Sequence, residues 1–99
     1  MSSKEFKDFV IDQLKDLGNV ICKPMMGEFL LYYDGILFGG IYDDRLLIKI
    51  TNSNKEYYLS EEIPYKNAKP MYLVEELENA EYLNNLVKNT CDEIKKKKA

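Results

Sequence analysis

The chain has no histidine, and that absence removes much chemistry at once. Histidine is the commonest metal ligand, the usual general base near neutral pH and the middle partner of Ser-His and Cys-His nucleophiles. Cysteine is scarce as well, with Cys22 and Cys91 the two present. They are too far apart in sequence for a metal knuckle or a redox pair. They read as reduced thiols on buried or half-buried faces, with a disulfide from the first strand to the last helix as the open alternative. No apolar run reaches membrane-spanning length, and no charged segment precedes an apolar signal-like stretch. A cytoplasmic protein with neither export signal nor anchor is expected.

Positive charge is also in short supply. Lys and Arg number 14 against 17 Asp and Glu, giving a net charge of −3 and a pI near 5.0. Free-standing affinity for nucleic acid needs a concentrated basic surface, so direct DNA or RNA binding is not expected. The run Lys95–Lys98 closes a helix, where cations suit the negative end of the dipole, and reads as a solvated, fraying tail. Gly39-Gly40 lacks the Lys-Ser/Thr and helix of a phosphate loop. Glu61, Glu62, Glu75, Glu76 and Glu78 lack the alternating spacing of a calcium loop. No catalytic, metal or cofactor residue is assigned, and the chain is expected not to be an enzyme.

What is present is a folded core. Ninety-nine residues, 45% of them apolar, make one domain spanning 1–99. Ser2-Ser3-Lys4-Glu5 has capping-box spacing, and Phe6, Phe9, Val10, Leu14 and Leu17 form an apolar helical stripe that ends at Gly18. Asn19 to Cys22 is a short β-prone run stopping before Pro24, and Met25-Met26-Gly27 is a bend. Glu28 to Tyr33, Ile36 to Tyr42 and Leu46 to Ile50, divided by Asp34-Gly35 and Asp43-Asp44, read as a three-stranded antiparallel meander. Gly39-Gly40 within it signals a bulge or a close backbone approach. Ser53-Asn54-Lys55-Glu56 opens a short helix carrying Tyr57, Tyr58 and Leu59. Residues 61–69 are loop, and Pro70 leads into a strand at Met71 to Val74. Asn79 caps a last helix with Leu83, Leu86, Val87, Thr90 and Ile94 inward. The fold class is α+β: a two-layer domain with an N-terminal helix, a central antiparallel sheet and a C-terminal helix, both helices on one face.

Both sheet faces are apolar. Leu46, Ile48 and Ile50 share one side of their strand, while Phe29, Leu31 and Tyr33 oppose Leu30 and Tyr32 on theirs. A solvated face would alternate more cleanly. The second face is therefore expected to be covered, by the chain's own residues 53–70 or by another subunit. Glu28, Arg45 and Lys49 read either as a cross-strand charge cluster or, with Lys23, as a hold for an acidic partner segment or anionic ligand.

Three ordered blocks carry a family resemblance. Lys23-Pro24-Met25-Met26-Gly27-Glu28-Phe29 is followed by Tyr33-Asp34-Gly35 and Phe38, then by Asp43-Asp44-Arg45-Leu46-Leu47-Ile48-Lys49. Pro64-Tyr65 and Ala68-Lys69-Pro70-Met71-Tyr72-Leu73 form a later block. In this order they resemble the N-terminal domain of TfoX (Sxy) proteins. Met26 stands where that family prefers Phe, Lys23 where it often has Arg, and Leu47 where it often has Tyr. Each swap keeps apolar bulk or charge. The resemblance implies a two-layer topology akin to type III secretion chaperones, often dimeric. Full-length TfoX regulators of natural competence carry a further C-terminal domain, so a single-domain member lacking it is expected. The function implied is a non-catalytic protein-interaction module, an accessory in transcriptional or competence regulation, with a transcription regulator or a second copy as partner. The alternatives are a chaperone-like binder of extended peptides and a small-ligand-binding domain. Lys23, Met26, Gly27, Glu28, Tyr32, Arg45, Leu47 and Lys49 are the expected interaction residues.

Overall fold

Three two-residue turns organise the sheet in the computed structural model, which describes residues 1–98. Met26-Gly27, Asp34-Gly35 and Asp43-Asp44 have positive φ at both positions: 50° and 85°, 50° and 80°, 54° and 54°. This is type I′ geometry, whose twist matches that of paired strands. The turns join β1 (Val20–Met25), β2 (Glu28–Tyr33), β3 (Ile36–Tyr42) and β4 (Arg45–Ile48) into an antiparallel meander. It has one strand more than the sequence suggested, because β1 runs on through Pro24 and Met25. β1 is an outer strand, so its proline has a side that needs no hydrogen-bonding partner.

β5 (Ser60–Glu62) and β6 (Met71–Val74) complete a six-stranded sheet in the order β1-β2-β3-β4-β6-β5, antiparallel throughout. β5 lies mostly in the stretch read as loop. All three of its residues are exposed, so no apolar alternation marks it in sequence. β4 starts at Arg45 and ends at Ile48, short of the expected Ile50.

Gly39-Gly40 serves both expected purposes. The β2–β3 register shifts between Leu31 and Tyr32, a bulge that places Phe38 out of step. A Cβ on Gly39 would strike the backbone of Leu47, and one on Gly40 would sit 2.6 Å from the Phe29 carbonyl oxygen.

One face of the sheet carries both helices, α1 (Lys4–Gln13) and α2 (Ala80–Lys98). Val10 and Leu14 meet Leu83, Leu86, Val87 and Cys91 over Leu31, Phe38, Ile41, Leu46, Ile48, Tyr72 and Val74. Each fully buried Leu or Ile here contributes on the order of 2 kcal/mol. The α1 stripe differs from expectation at Phe9, which is 41% exposed, while Ile11 packs on the cluster instead. Phe6, Val10 and Leu14 form the i+4 ridge, and Phe9 is displaced to its side.

The cap of α1 is Ser3, whose Oγ accepts from the Phe6 N–H at 3.1 Å; Ser2 has other work, described below. After α1 the chain tightens into a 3-10 turn at Lys15–Leu17, and Gly18 follows with φ 95°. Asn79 caps α2 as expected, accepting from the Tyr82 N–H at 3.1 Å. α2 includes the tetralysine run as its last turn. Lys95, Lys96 and Lys97 are exposed, and the side chain of Lys98 lies outside the described residues.

The Ser53–Glu56 capping box does not form. Residues Lys55–Tyr57 make a 3-10 turn preceded by Asn54 with no side-chain cap, and Tyr58 adopts the left-handed conformation. Asn54 is instead fully buried. Its Oδ1 accepts from the Thr51 N–H at 2.9 Å, and its Nδ2 donates to the Lys49 carbonyl at 2.8 Å and to Thr90 Oγ1 at 2.9 Å. Beside it the Glu93 carboxylate accepts from the Asn52 and Ser53 N–H groups, both at 2.7 Å. The segment after β4 is thus fastened to α2 by polar contacts, where the sequence suggested local helix capping.

Candidate functional site

The face of the sheet away from the helices is the candidate site. Antiparallel partners share a face, so the register puts Ile21, Met25, Leu30, Tyr32, Leu37, Tyr42 and Leu47 on this side. The chain covers part of it. Tyr42 and Leu47 are buried, as is Pro64 in the loop crossing above them. Tyr65 from that loop meets Tyr42 at 6.0 Å between ring centroids, tilted by 51°. The β1–β2 part stays open, with Ile21 exposed and Leu30 and Tyr32 half-buried. The expectation of a covered second face therefore holds for the β3–β4 half, and the chain's own loop is the cover.

Between this loop and the sheet runs a groove of about 650 Å³, lined by Leu37, Tyr42, Lys49, Ile50, Tyr65, Lys69 and Met71 among others. Two features build it. Gly40 leaves room for the Tyr42 ring, since a Cβ there would stand 2.7 Å from Tyr42 Cε2. Arg45 holds the loop, donating to the Ile63 carbonyl at 3.5 Å, to the Pro64 carbonyl at 3.4 Å and to Glu62 Oε1 at 3.2 Å. Its Nε also donates to the Tyr42 carbonyl at 3.2 Å. Burial, and next the neighbouring Tyr65, push the Tyr42 phenol above its usual pKa.

The eight residues singled out from sequence separate into three groups. Leu47 and Arg45 are structural parts of the groove, one beneath the loop and the other clamping it. Lys49 lines the groove directly. Lys23 and Tyr32 lie on the open half, with the Lys23 ammonium 5.1 Å from the Tyr32 ring centroid, a cation–π contact. Met26, Gly27 and Glu28 sit at the β1–β2 turn, where Met26 is 98% exposed.

The expected cluster of Glu28, Arg45 and Lys49 does not form. Glu28 turns to the chain start and the β3–β4 turn, accepting from Ser2 Oγ at 2.6 Å and from the Asp43 N–H at 2.9 Å. Ser2 donates its N–H to the Gly27 carbonyl at 3.0 Å, and its Oγ accepts from the Asp44 N–H at 3.0 Å. The strained Asp43-Asp44 turn thus has its N–H groups met from outside, which draws Glu28 away from Arg45. Lys69 and Tyr65 are site residues that sequence reasoning missed. The Ala68-Lys69-Pro70 block was visible, but nothing local says that this loop folds back over the sheet.

The thiols lie on the opposite, helix-bearing side. Burial pushes Cys91 up to about 12 and also raises Cys22, where the Lys7 ammonium opposes the effect only in part. Both are free, and neither has the lowered pKa of a reactive thiolate. Among the described residues no group of three or more His, Cys, Asp or Glu side chains is placed to hold a metal ion, and no helix is long and apolar enough to cross a membrane.

The TfoX N-terminal domain family matches residues 12–94. The chain belongs to that family. A relative, an uncharacterized 12.7 kDa protein in the trpE 5′ region of Spirochaeta aurantia, is 33% identical over 86 residues, covering 84% of this chain and 75% of the relative. The TfoX-like blocks now have physical roles. Asp43-Asp44 makes a type I′ turn, Arg45 clamps the loop, and the block from Ala68 to Leu73 supplies one wall of the groove and then β6.

Proposed function

We propose that this TfoX N-terminal domain is a non-catalytic protein-interaction module that works through the outer face of its sheet. The observation behind this reading is the uneven covering of that face. Apolar side chains from Ile21 through Leu30 and Tyr32 to Leu37 continue the buried Tyr42–Leu47 patch past the edge of the loop. A contiguous apolar surface of this kind marks an association site. Tyrosine and methionine on it suit contact surfaces, since they bring area at low entropic cost. The partner is a second copy of the chain or a transcription regulator, and the role is accessory to regulation rather than grip on DNA. A cytoplasmic setting fits it, with no cofactor required.

Light scattering after gel filtration, together with capture from native extract, tests the proposal on wild type and Leu30→Glu. A dimer or a retained partner that the substitution abolishes supports it. A strict monomer with an identical capture profile in both proteins refutes it. Leu30 is half-buried and outside the main cluster, so the variant should fold.

A further inference from the structure

The groove differs in charge from the rest of the molecule. The chain carries more acids than bases, 17 against 14, yet the charged side chains lining the groove are Lys49 and Lys69, with no acid among them. Among the described residues, Lys4, Lys7, Lys15, Lys97 and Arg45 all stand within ion-pairing distance of a carboxylate. Lys49 and Lys69 are among the several lysines with no such partner, and of these they are the ones that line the groove. Lys49 is half-buried, its stem held against the protein, and an anion entering the groove would meet its charge and that of Lys69 without competition from a carboxylate in the lining.

The remainder of the lining is apolar and aromatic, and a volume of about 650 Å³ lies within the usual range for ligand sites. Bare polyanions fit it poorly. A phosphate chain would leave the apolar and aromatic side chains of the lining, Leu37, Tyr42, Tyr65 and Met71, without a partner. Localised carboxylates on an apolar body match both features. The groove also lies on a face of the sheet and not along an edge. Recognition there falls to side chains, without the backbone ladder of strand addition.

We infer that this groove receives an extended peptide segment of the partner that sets an apolar or aromatic side chain against Leu37 and Tyr65 and pairs flanking Asp or Glu carboxylates with Lys49 and Lys69. The inference rests on the interaction-module reading and specifies its partner chemistry.

Fluorescence anisotropy on the full chain tests it with three labelled peptides sharing one aromatic-apolar core and carrying acidic, neutral or basic flanks. The acidic peptide should bind about tenfold more tightly than the neutral one, as two partly exposed ion pairs allow. The preference should shrink as salt rises from about 0.05 to 0.5 M. Lys49→Gln with Lys69→Gln should abolish the preference while the aromatic core still binds, and Lys49→Glu with Lys69→Glu should favour the basic peptide. Unchanged circular dichroism and melting would show that both doubly substituted proteins are folded. Affinity indifferent to flank charge overturns the inference, as does failure of all three peptides to bind. Tighter binding of a single-stranded oligonucleotide than of the acidic peptide also overturns it. Any of these results, with the dimer or partner complex still lost in Leu30→Glu, leaves the interaction module standing and removes only its acidic specificity.

Discussion

Replacing Asn54 by alanine removes a fully buried side chain on which two backbone groups and a helix depend. The amide satisfies the Thr51 N–H and the Lys49 carbonyl and donates to Thr90 Oγ1. Thr90 retains its own donation to the Leu86 carbonyl at 2.8 Å, so its hydroxyl loses an incoming bond without being orphaned. The Thr51 N–H and Lys49 C=O are left without that partner. A buried polar group stranded in this way costs about 1–3 kcal/mol, which places the substitution near 3 kcal/mol after partial rehydration. Against a total stability of about 5–15 kcal/mol, the variant should still fold. With a urea dependence of about 1.5 kcal/mol per M, its midpoint should fall by roughly 2 M. Thr90→Val should cost less, about 1–2 kcal/mol, because Asn54 Nδ2 keeps the Lys49 carbonyl. A double-mutant cycle between the two should show coupling near 1 kcal/mol. A loss below about 1 kcal/mol for Asn54→Ala, or strict additivity with Thr90→Val, would refute the reasoning that this amide organises the turn.

Further outcomes follow from the same geometry. Burial opposes ionisation of Glu93, but the Asn52 and Ser53 N–H groups and the Lys97 ammonium outweigh it and hold its pKa below the usual 4.5. That stabilisation is complete above the unfolded-chain pKa and is lost as pH falls through the lower folded value. Glu93→Gln should therefore flatten stability against pH in the acid range below about pH 4.5, as read by urea midpoints; an unchanged slope counts against the link. Cys91, with 2% of its surface exposed and its thiol pushed up from 9.0 to about 12, should resist iodoacetamide until the protein unfolds, with Cys22 labelled first. Its contribution is full below pH 9 and fades as pH climbs toward about 12, so Cys91→Val should flatten the alkaline limb. Met26, with φ 50°, should gain about 0.5–1 kcal/mol on replacement by Asn, which tolerates that conformation in a type I′ turn; a lower melting temperature would show that the exposed methionine contributes more than the turn costs.

Much of the fold was legible because local chemistry and tertiary position agreed. Asp34-Gly35 and Asp43-Asp44 demand tight turns, the α2 stripe has helical spacing, and Asn79 caps where a cap belongs. Sequence reading failed where a residue's role depends on something distant. Pro24 looked like a stop signal, but it is harmless at the sheet's border, and only the strand order reveals that border. Ser53-x-x-Glu56 has the spacing of a capping box, yet Ser53 is drawn to α2, where its Oγ donates to the Asn89 carbonyl at 2.8 Å. Glu28, Arg45 and Lys49 come from one meander, but Glu28 is taken up by Ser2 and the Asp43 N–H and Arg45 by Glu62 and the loop carbonyls, which leaves Lys49 with neither. The site was half visible in the same sense. Apolar alternation on both faces announced a second covered surface, and Lys49 was identified. The covering loop, with Tyr65 and Lys69, has no periodicity to show where it lies.

The groove and the polar fastening of α2 are linked through one residue. Lys49 lines the groove, while its carbonyl accepts from Asn54 and its N–H donates to the Phe38 carbonyl at 2.8 Å. Its backbone is thus held on both sides, and only the side chain is free to search. On the opposite wall, Arg45 fixes Ile63 and Pro64, while Lys69 extends from the loop several residues further on. A groove whose floor is pinned to the core and whose wall is clamped at one end loses little entropy at the floor when a ligand arrives, and adjusts at the far end of the loop. The clamp also neutralises Glu62, which would otherwise stand beside the entrance and weaken the pull of both ammonium groups on a carboxylate. Arg45 therefore shapes the groove and sets its charge without touching the ligand.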